Sequence, residues 1–344
     1  MKDKFGRGKK MCVILAALGI TVTVLAGAAW AAPINLKLAF FAGPKDPTFS
    51  EAIVPWAKDV VAASKGTVEI DTFPGGALGR NPRVQLKLVL DGVAEMAFIV
   101  PSYTPGRFPD NDVMELPGIF RDSKESSLVI WRLYAKGLLG GYDRLKVLML
   151  TTTSPYSIHT NFPVKGIADL KGKKIRVAGA VTGAALRALG AVPVGMPITA
   201  VAESISKGIL SGSTGAWHVL YVFRITEVAK YHYMAPLGTV PIGVIMAKAK
   251  YASLPPAAKA AFEKYSGEAL SRRYGKVNSG AYTNLEAKTR KDANHFFVDP
   301  DAAAMKKWSD TLKPVTEKWV ANHPKGRALL NALQKELAAV RRGN

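Results

Sequence analysis

Short apolar segments alternate with amphipathic segments along most of the chain, and this alternation restricts the possible folds more than any other feature of the sequence. Alternating or wholly apolar stretches predict strands, and apolar residues at helical spacing predict helices of about 10–15 residues between them. The strands are expected at 34–41, 67–73, 94–100, 145–151, 174–178, 192–194 and 209–211. The helices are expected at 49–64, 82–91, 123–137, 181–189 and 199–207. Strands separated by single helices form parallel sheets from βαβ units, so the predicted fold class is α/β.

The pattern changes toward the carboxyl end. Residues 234–247 are rich in strand-forming side chains, and residues 255–294 are predicted to form a long charged helical stretch. A brief strand is expected at 295–298, and two more helices are expected on either side of 322–326. A chain that builds one α/β lobe, then a second, and then returns is typical of a two-lobed binding protein. We therefore predict lobe I from 33–153 plus about 242–280. Lobe II would comprise 154–241 plus about 281–344, including long C-terminal helices that span both lobes.

The first 31 residues have the layout of an export signal. A basic stretch with Lys9 and Lys10 precedes an uncharged run from Met11 to Trp30, and Ala29-Trp30-Ala31 ends it like a cleavage site. The alternative is an uncleaved transmembrane anchor. Cleavage removes Cys12, the only cysteine of the chain. A mature protein without disulfides that is nevertheless exported fits the bacterial periplasm.

The net charge is strongly positive. The 344 residues include 47 Lys and Arg against 26 Asp and Glu, a formal charge of +21, and removal of residues 1–31 leaves +17. Such a charge is common in proteins that bind polyanions. The basic residues are scattered and interleaved with acidic ones, however, and no nucleic-acid-binding motif occurs. We expect a solvated basic surface and no nucleic-acid partner; a polyanion-binding surface protein remains an alternative.

Catalytic motifs are missing from the sequence. The five histidines, His159, His218, His232, His295 and His323, form no HxH or HExxH spacing. No Walker loop and no GxGxxG motif occur, and the run 212–215 lacks the first glycine of a nucleophile elbow. We predict no catalytic residue, no cofactor and no metal ligand, and we expect each histidine to be packed or at the surface. An exported enzyme is the alternative from a different functional class.

One segment carries a resemblance to a known family. Residues 168–179 read Ala-Asp-Leu-Lys-Gly-Lys-Lys-Ile-Arg-Val-Ala-Gly, and similar family-like segments lie at 73–79, 91–96, 115–120, 188–197, 207–212, 253–255 and 325–326. In this order and spacing the chain resembles the solute-binding proteins of TRAP transporters, the tripartite ATP-independent periplasmic transporters. The resemblance implies a periplasmic-binding-protein-like fold with a ligand cleft between two lobes. It also implies a receptor, not an enzyme, that hands an organic acid to a small and a large membrane subunit. We expect this receptor to be a monomer.

The resemblance also implies a ligand-binding arginine. Arg176 stands at the position of the arginine that pairs with the ligand carboxylate in that family, and Gly179 ends the same segment. A guanidinium suits this task because its parallel N–H groups match the two oxygens of a carboxylate. The alternative is that Arg176 pairs with a structural Asp or Glu.

Two departures from the family pattern concern the ligand. Tyr156 stands where sialic-acid-type members carry a second arginine, and 211–217 lacks the usual polar pair but ends in Trp217. Fewer polar donors and more rings favour an aromatic or apolar monocarboxylate. Phe41 and Tyr103, at the ends of predicted strands, are weaker ligand candidates.

Each of these interpretations has an alternative. The alternative for Trp217 is packing in the protein core, and the alternative for Tyr156 is an inert position at the rim of the cleft. A polar organic acid or an amino-acid derivative, held by His159 or Asn161, is the alternative ligand.

Overall fold

The computed structural model describes residues 32–343. The predicted export signal, residues 1–31, lies outside this range. No helix within residues 32–343 combines the length and the apolar composition that a membrane span requires.

The strands and helices follow the predicted alternation. The strands are β1 (Ile34–Ala39), β2 (Val68–Phe73), β3 (Met96–Ile99), β4 (Leu145–Thr152), β5 (Ser157–Thr160), β6 (Lys174–Val177), β7 (Val192–Gly195), β8 (Gly212–Gly215), β9 (Tyr231–Tyr233), β10 (Pro241–Ala247) and β11 (Phe296–Val298). The helices are α1 (Val54–Ala63), α2 (Gln85–Leu90), α3 (Ser123–Ala135), α4 (Ala180–Ala188), α5 (Val201–Ser206), α6 (Trp217–Val222), α7 (Lys248–Ser253), α8 (Pro256–Tyr265), α9 (Glu268–Arg290), α10 (Ala302–Asn322) and α11 (Gly326–Arg341).

Two predicted helix starts are present with their caps. The Asn81 side chain accepts a hydrogen bond from the backbone of Arg83 at the start of the turn before α2. The Asp122 carboxylate accepts from the backbone N–H groups of Lys124 and Glu125 and so caps α3. These side chains satisfy N–H groups that have no partner within the helix.

The strands form two sheets, and both are mixed. The first has the order β2-β1-β3-β10-β4 and the second β11-β9-β5-β8-β6-β7. The prediction of parallel sheets was correct for the βαβ parts only. Strand β10 lies antiparallel between β3 and β4, and β5 lies antiparallel between β8 and β9. The reason is that β5 and β10 follow the crossings between the sheets at 153–156 and 234–240, so each begins at the edge where the neighbouring parallel strands end.

Several strands differ from the prediction. Strand β8 covers Gly212–Gly215, later than the predicted 209–211, and β5 and β9 were not predicted. Strand β8 begins and ends with glycine, which is depleted in strands, and β5 has only four residues, so the sequence signal was small at both.

The long C-terminal helices connect the two sheets. Helix α9, with 23 residues, packs against α3 beside the first sheet and against α6 beside the second. Helix α10 packs against α4, and α11 packs against α3, where Arg341 forms a bidentate ion pair with Glu125. Both sheets therefore share one helical layer, and a cleft remains between them.

Three histidines from neighbouring strands of the second sheet form a buried chain of hydrogen bonds. His159 Nε2 donates to the carbonyl of Gly215 (3.1 Å), which can only accept. The ammonium of Lys230 can only donate, so His295 Nε2 accepts from it; His295 Nδ1 then donates to His232 Nε2 (2.8 Å), and His232 Nδ1 donates to His159 Nδ1 (2.9 Å). The chain ends at Lys230, whose Nζ lies 3.3 Å from His295 Nε2. All three imidazoles are therefore neutral in this arrangement.

The buried histidine chain should make the unfolding free energy depend on pH in mild acid. Burial lowers the pKa of His159 from 6.5 to about 4, so the unfolded chain takes up a proton before the folded one does. This site therefore costs stability as the pH falls from 6.5 to 4. Replacing His159 with Asn should make the pH dependence of the unfolding free energy shallower by up to about one proton in this window.

Urea denaturation of both proteins between pH 7.5 and 4.5 measures the effect, and the difference between them cancels the titrating groups that do not interact with His159. An identical pH dependence in the two proteins would show that His159 titrates alike in the folded and unfolded chains.

Candidate functional site

A small cavity lies where the two sheets face each other. Its volume is about 30 Å³, and its wall is formed by six aromatic side chains, several aliphatic ones and a few polar groups. The aromatic residues are Phe41, Phe98, Tyr103, Tyr156, Phe223 and Tyr274. The polar residues include Asp46 and His218. The wall is therefore mainly aromatic, with polar groups at a few defined points.

The positions of these residues follow from the sheet topology. Phe41 comes just after β1, Tyr103 lies in the 3₁₀ turn after β3, and Arg176 lies near the end of β6. In open α/β sheets the carboxyl ends of the strands meet at one edge, where ligands bind. The two sheets turn these edges toward each other, so the first sheet supplies Phe41 and Tyr103 and the second supplies Arg176.

Arg176 has no exposed surface, and its hydrogen-bond partners are all uncharged. Its Nε donates to the carbonyl of Met196 (2.9 Å), Nη1 to the carbonyl of Thr214 (3.5 Å) and Nη2 to the Tyr103 hydroxyl (2.7 Å). None of the ion pairs found within residues 32–343 includes Arg176. These contacts use three of the five N–H groups of a guanidinium. The described residues therefore do not form the alternative, a structural ion pair between Arg176 and an Asp or Glu.

The two tyrosines connect Arg176 to the cavity. The Tyr103 hydroxyl accepts from Arg176 and also from the backbone N–H of Ile198 (3.0 Å), so it joins the first sheet to two points of the second lobe. Burial raises the pKa of the Tyr156 hydroxyl, and the nearby charge of Arg176 opposes that effect. Both side chains line the cavity. Tyr156 is thus buried beside Arg176, not at an exposed rim.

Aromatic contacts across the cleft complete the wall. The ring centroids of Phe41 and Phe98 are 5.5 Å apart, and those of Phe41 and Phe223 are 6.2 Å apart with nearly parallel planes. The ring centroid of Tyr274, in α9, lies 6.2 Å from that of Phe98. Phe41 therefore packs between a ring of its own sheet and a ring that follows α6.

Sequence reasoning missed the polar pair of Asp46 and His218. His218 Nε2 lies 2.8 Å from Asp46 Oδ1, and both side chains are about 4% exposed. Thr48 donates to the same oxygen with its backbone N–H and its hydroxyl, each at 2.8 Å. The pair joins the loop after β1 to α6, so it also bridges the cleft. No motif spacing links two residues 172 positions apart.

Asn278 of α9 determines which nitrogen of His218 carries the proton. The Asn278 carbonyl oxygen accepts from the backbone N–H of Ser154, so its amide group faces His218 Nδ1 (3.1 Å) and donates to it. His218 Nδ1 is therefore an acceptor, and Nε2–H donates to Asp46.

Gly179 lies at a close contact between the lobes. It is the N-cap residue of α4, and the Glu115 carboxylate comes from the first lobe to accept hydrogen bonds from the Thr182 backbone and hydroxyl. Ser102 donates to the other oxygen at 2.6 Å. A Cβ at position 179 would lie 1.9 Å from Glu115 Oε1. Gly179 also lines a neighbouring cavity of about 510 Å³, which shares Tyr103 with the small one.

The structure places Trp217 outside the small cavity. Its indole is fully buried and packs against the imidazoles of His159 and His232 and the ring of Phe297, with centroid distances of 4.8–5.5 Å. Trp217 is therefore packed in the core, which was the alternative to a role in ligand binding. The next residue, His218, is the one that reaches the cavity, because successive residues at the start of α6 point in different directions.

Comparisons with known proteins identify relatives over nearly the whole described chain. The sequence model of the DctP family, described as bacterial extracellular solute-binding protein, family 7, matches residues 38–323. The C4-dicarboxylate-binding periplasmic protein DctP of Rhodobacter capsulatus is 26% identical over 322 residues, which cover 88% of this chain and 92% of that protein.

Two solved structures have the same fold. A TRAP solute-binding protein from Rhodoferax ferrireducens T118 in complex with copurified benzoate has a TM-score of 0.84 at 26% identity, covering 90% of this chain and 99% of that one. A marine metagenome TRAP solute-binding protein specific for aromatic acid ligands, in complex with 3-hydroxybenzoate, has a TM-score of 0.84 at 27% identity, with the same coverage.

The close contact between Gly179 and Glu115 predicts that a larger residue at position 179 destabilises the protein. Replacing Gly179 with Ala puts a methyl group into the Glu115 carboxylate, which its hydrogen bonds hold in place. Overpacking of this kind costs about 1–3 kcal/mol. Replacing Gly195 with Ala is the control, since a Cβ there meets no atom within 4 Å. Urea denaturation should show a clear loss of stability for the first variant only, and equal stabilities would contradict the close contact.

Proposed function

Because this chain belongs to the family 7 bacterial extracellular solute-binding proteins, which are receptors of TRAP transporters, we propose that it captures an aromatic or apolar monocarboxylate through Arg176. The observation that carries the proposal is the guanidinium of Arg176, which is completely buried without a carboxylate partner among the described residues. A buried charge is costly unless it is paired. The buried Glu115 carboxylate acts on Arg176 only through space, and a ligand carboxylate would supply a directly paired charge.

The hydrogen bonds of Arg176 support a ligand on the side of the guanidinium that faces Tyr103. The carbonyls of Met196 and Thr214 hold Nε and Nη1, and Nη2 points to Tyr103 at the cavity wall. A ligand carboxylate would bind Arg176 through two parallel N–H groups, the geometry that arginine favours. The Tyr103 hydroxyl accepts from Arg176 and from the Ile198 amide, so a carboxylate oxygen that displaced this hydroxyl would find two donors there.

The cavity wall supports an aromatic ligand. Six rings surround the space beside Arg176, and aromatic side chains gain stability by stacking and edge contacts with another ring. The solved relatives with benzoate and 3-hydroxybenzoate bind ligands of this class. A sugar acid needs several hydroxyl partners, which this wall offers at few points.

Ligand capture requires movement of the lobes. A cavity of about 30 Å³ accommodates about one water molecule, which is less than a benzene ring needs. Tyr103 separates this cavity from the neighbouring one of about 510 Å³, so displacement of the Tyr103 ring would join them. We infer a hinge motion about the two crossings between the sheets, which the ligand shifts toward the closed state.

The location and partners follow from the same proposal. The receptor would act in the periplasm after removal of residues 1–31, and it would deliver the acid to a small and a large membrane subunit. Its function is binding and delivery, so no catalytic group is needed at the site.

Variants of Arg176 test the proposal. Loss of one partner of a buried charge pair costs about 2–5 kcal/mol, which corresponds to about 30-fold or more in affinity. Isothermal titration with benzoate should therefore show at least this loss for Arg176→Ala. Arg176→Lys keeps the charge but not the paired N–H groups, so an intermediate loss is expected.

Arg224→Ala is the matched control, because this arginine of the same lobe is exposed and pairs with Glu227. It should bind as the wild type does. Unchanged benzoate affinity in Arg176→Ala, with the melting temperature preserved, would overturn the role of Arg176. A lack of any binding by the wild type to a panel of aromatic and aliphatic acids would overturn the proposed ligand class.

A further inference from the structure

We propose that Asp46 is a second anchoring residue in the cleft, which selects aromatic acids that carry a hydrogen-bond donor, such as a ring hydroxyl, in addition to the carboxylate. This inference rests on the proposed function, since it assumes that Arg176 holds the carboxylate. Asp46 lines the same small cavity as Tyr103 and Tyr156, the neighbours of Arg176. The two charged residues share no hydrogen-bond partner, so they provide separate points of attachment.

The two oxygens of Asp46 have different surroundings. Oδ1 accepts three hydrogen bonds, from the Thr48 backbone, the Thr48 hydroxyl and His218 Nε2. Oδ2 accepts none from any residue within 32–343. The side chain is only about 4% exposed to solvent and lines the cavity, so Oδ2 is an acceptor available there. A ligand donor that takes the place of water at this ionised oxygen would form a charge-assisted hydrogen bond.

His218 does not compete for this role. Its Nδ1 accepts from the Asn278 amide, and its Nε2–H donates to Asp46 Oδ1. Both ring nitrogens are therefore in use, and His218 instead holds the Asp46 carboxylate in one orientation. The amide of Asn278 is itself oriented by the backbone and hydroxyl of Ser154. A chain of fixed donors thus leaves Oδ2 as the free polar atom of this group.

The charge of Asp46 determines what it can bind. Burial by itself raises the pKa of Asp46, but the interaction with His218 and the hydrogen bonds from Thr48 outweigh it and hold the pKa below its ordinary value. An ionised carboxylate only accepts hydrogen bonds. It therefore binds a hydroxyl or amino group and repels a second carboxylate. A ligand with one carboxylate for Arg176 and one donor for Asp46 satisfies both residues.

The first measurement uses the wild-type protein alone. Titration calorimetry compares benzoate, the three hydroxybenzoate isomers and isophthalate, which carries a second carboxylate. Hydrogen bonds to charged groups are worth enough to predict a preference of about tenfold or more for the best hydroxybenzoate over benzoate. Isophthalate should bind more weakly than benzoate. If benzoate binds but no isomer exceeds it, the role of Asp46 is wrong and the proposed function stands. If no aromatic acid binds, the proposed function itself fails.

The second measurement uses Asp46→Asn. The amide oxygen can keep the hydrogen bonds from Thr48 and His218, so the NH₂ group takes the position of Oδ2 and offers a donor in place of an acceptor. The ratio of hydroxybenzoate to benzoate affinity should fall to about one or below. Isophthalate should gain relative to benzoate. Asp310→Asn, an exposed change of the same type on α10, should keep the wild-type ratios. Wild-type ratios in Asp46→Asn would overturn the proposal.

Discussion

The side chain of Arg176 is charged at every physiological pH and has no exposed surface, and the two lobes meet around it. Its contacts come from both sides of the cleft, because Met196 and Thr214 belong to the second lobe and Tyr103 follows a strand of the first sheet. Carbonyl and hydroxyl oxygens accept all its hydrogen bonds, and the buried Glu115 carboxylate acts on it through space without forming an ion pair. This single constraint relates the closed arrangement of the lobes to the chemistry of an anionic ligand.

Three further contacts bridge the cleft near the same place. Glu115 accepts hydrogen bonds at the start of α4, Asp46 accepts from His218, and Phe41 packs against Phe223. The two polar contacts are buried, and each of the three contacts joins elements far apart in the sequence. The contacts between the lobes thus lie at the proposed ligand site, and under the proposed function a change in lobe closure should affect binding.

The large positive charge of the chain has little to do with this site. The exposed ion pairs are dispersed over the surface, as in Lys87–Asp91 and Lys306–Asp310, and such pairs contribute little energy. The cleft instead contains the buried cation Arg176 and the buried carboxyl groups of Asp46 and Glu115. In the proposed function, selectivity depends on Arg176, on Asp46 and on the aromatic wall, and the net charge would at most increase the rate of ligand capture.

The sequence alone determined the α/β class, most helix and strand positions and the two caps at Asn81 and Asp122, because these depend on local periodicity and on side chains a few residues apart. The resemblance of 168–179 led to Arg176. Only the tertiary structure decided that β10 and β5 run antiparallel, that Trp217 packs against histidines, and that Asp46 meets His218. These outcomes depend on how distant segments pair and face each other, and no local pattern contains that information.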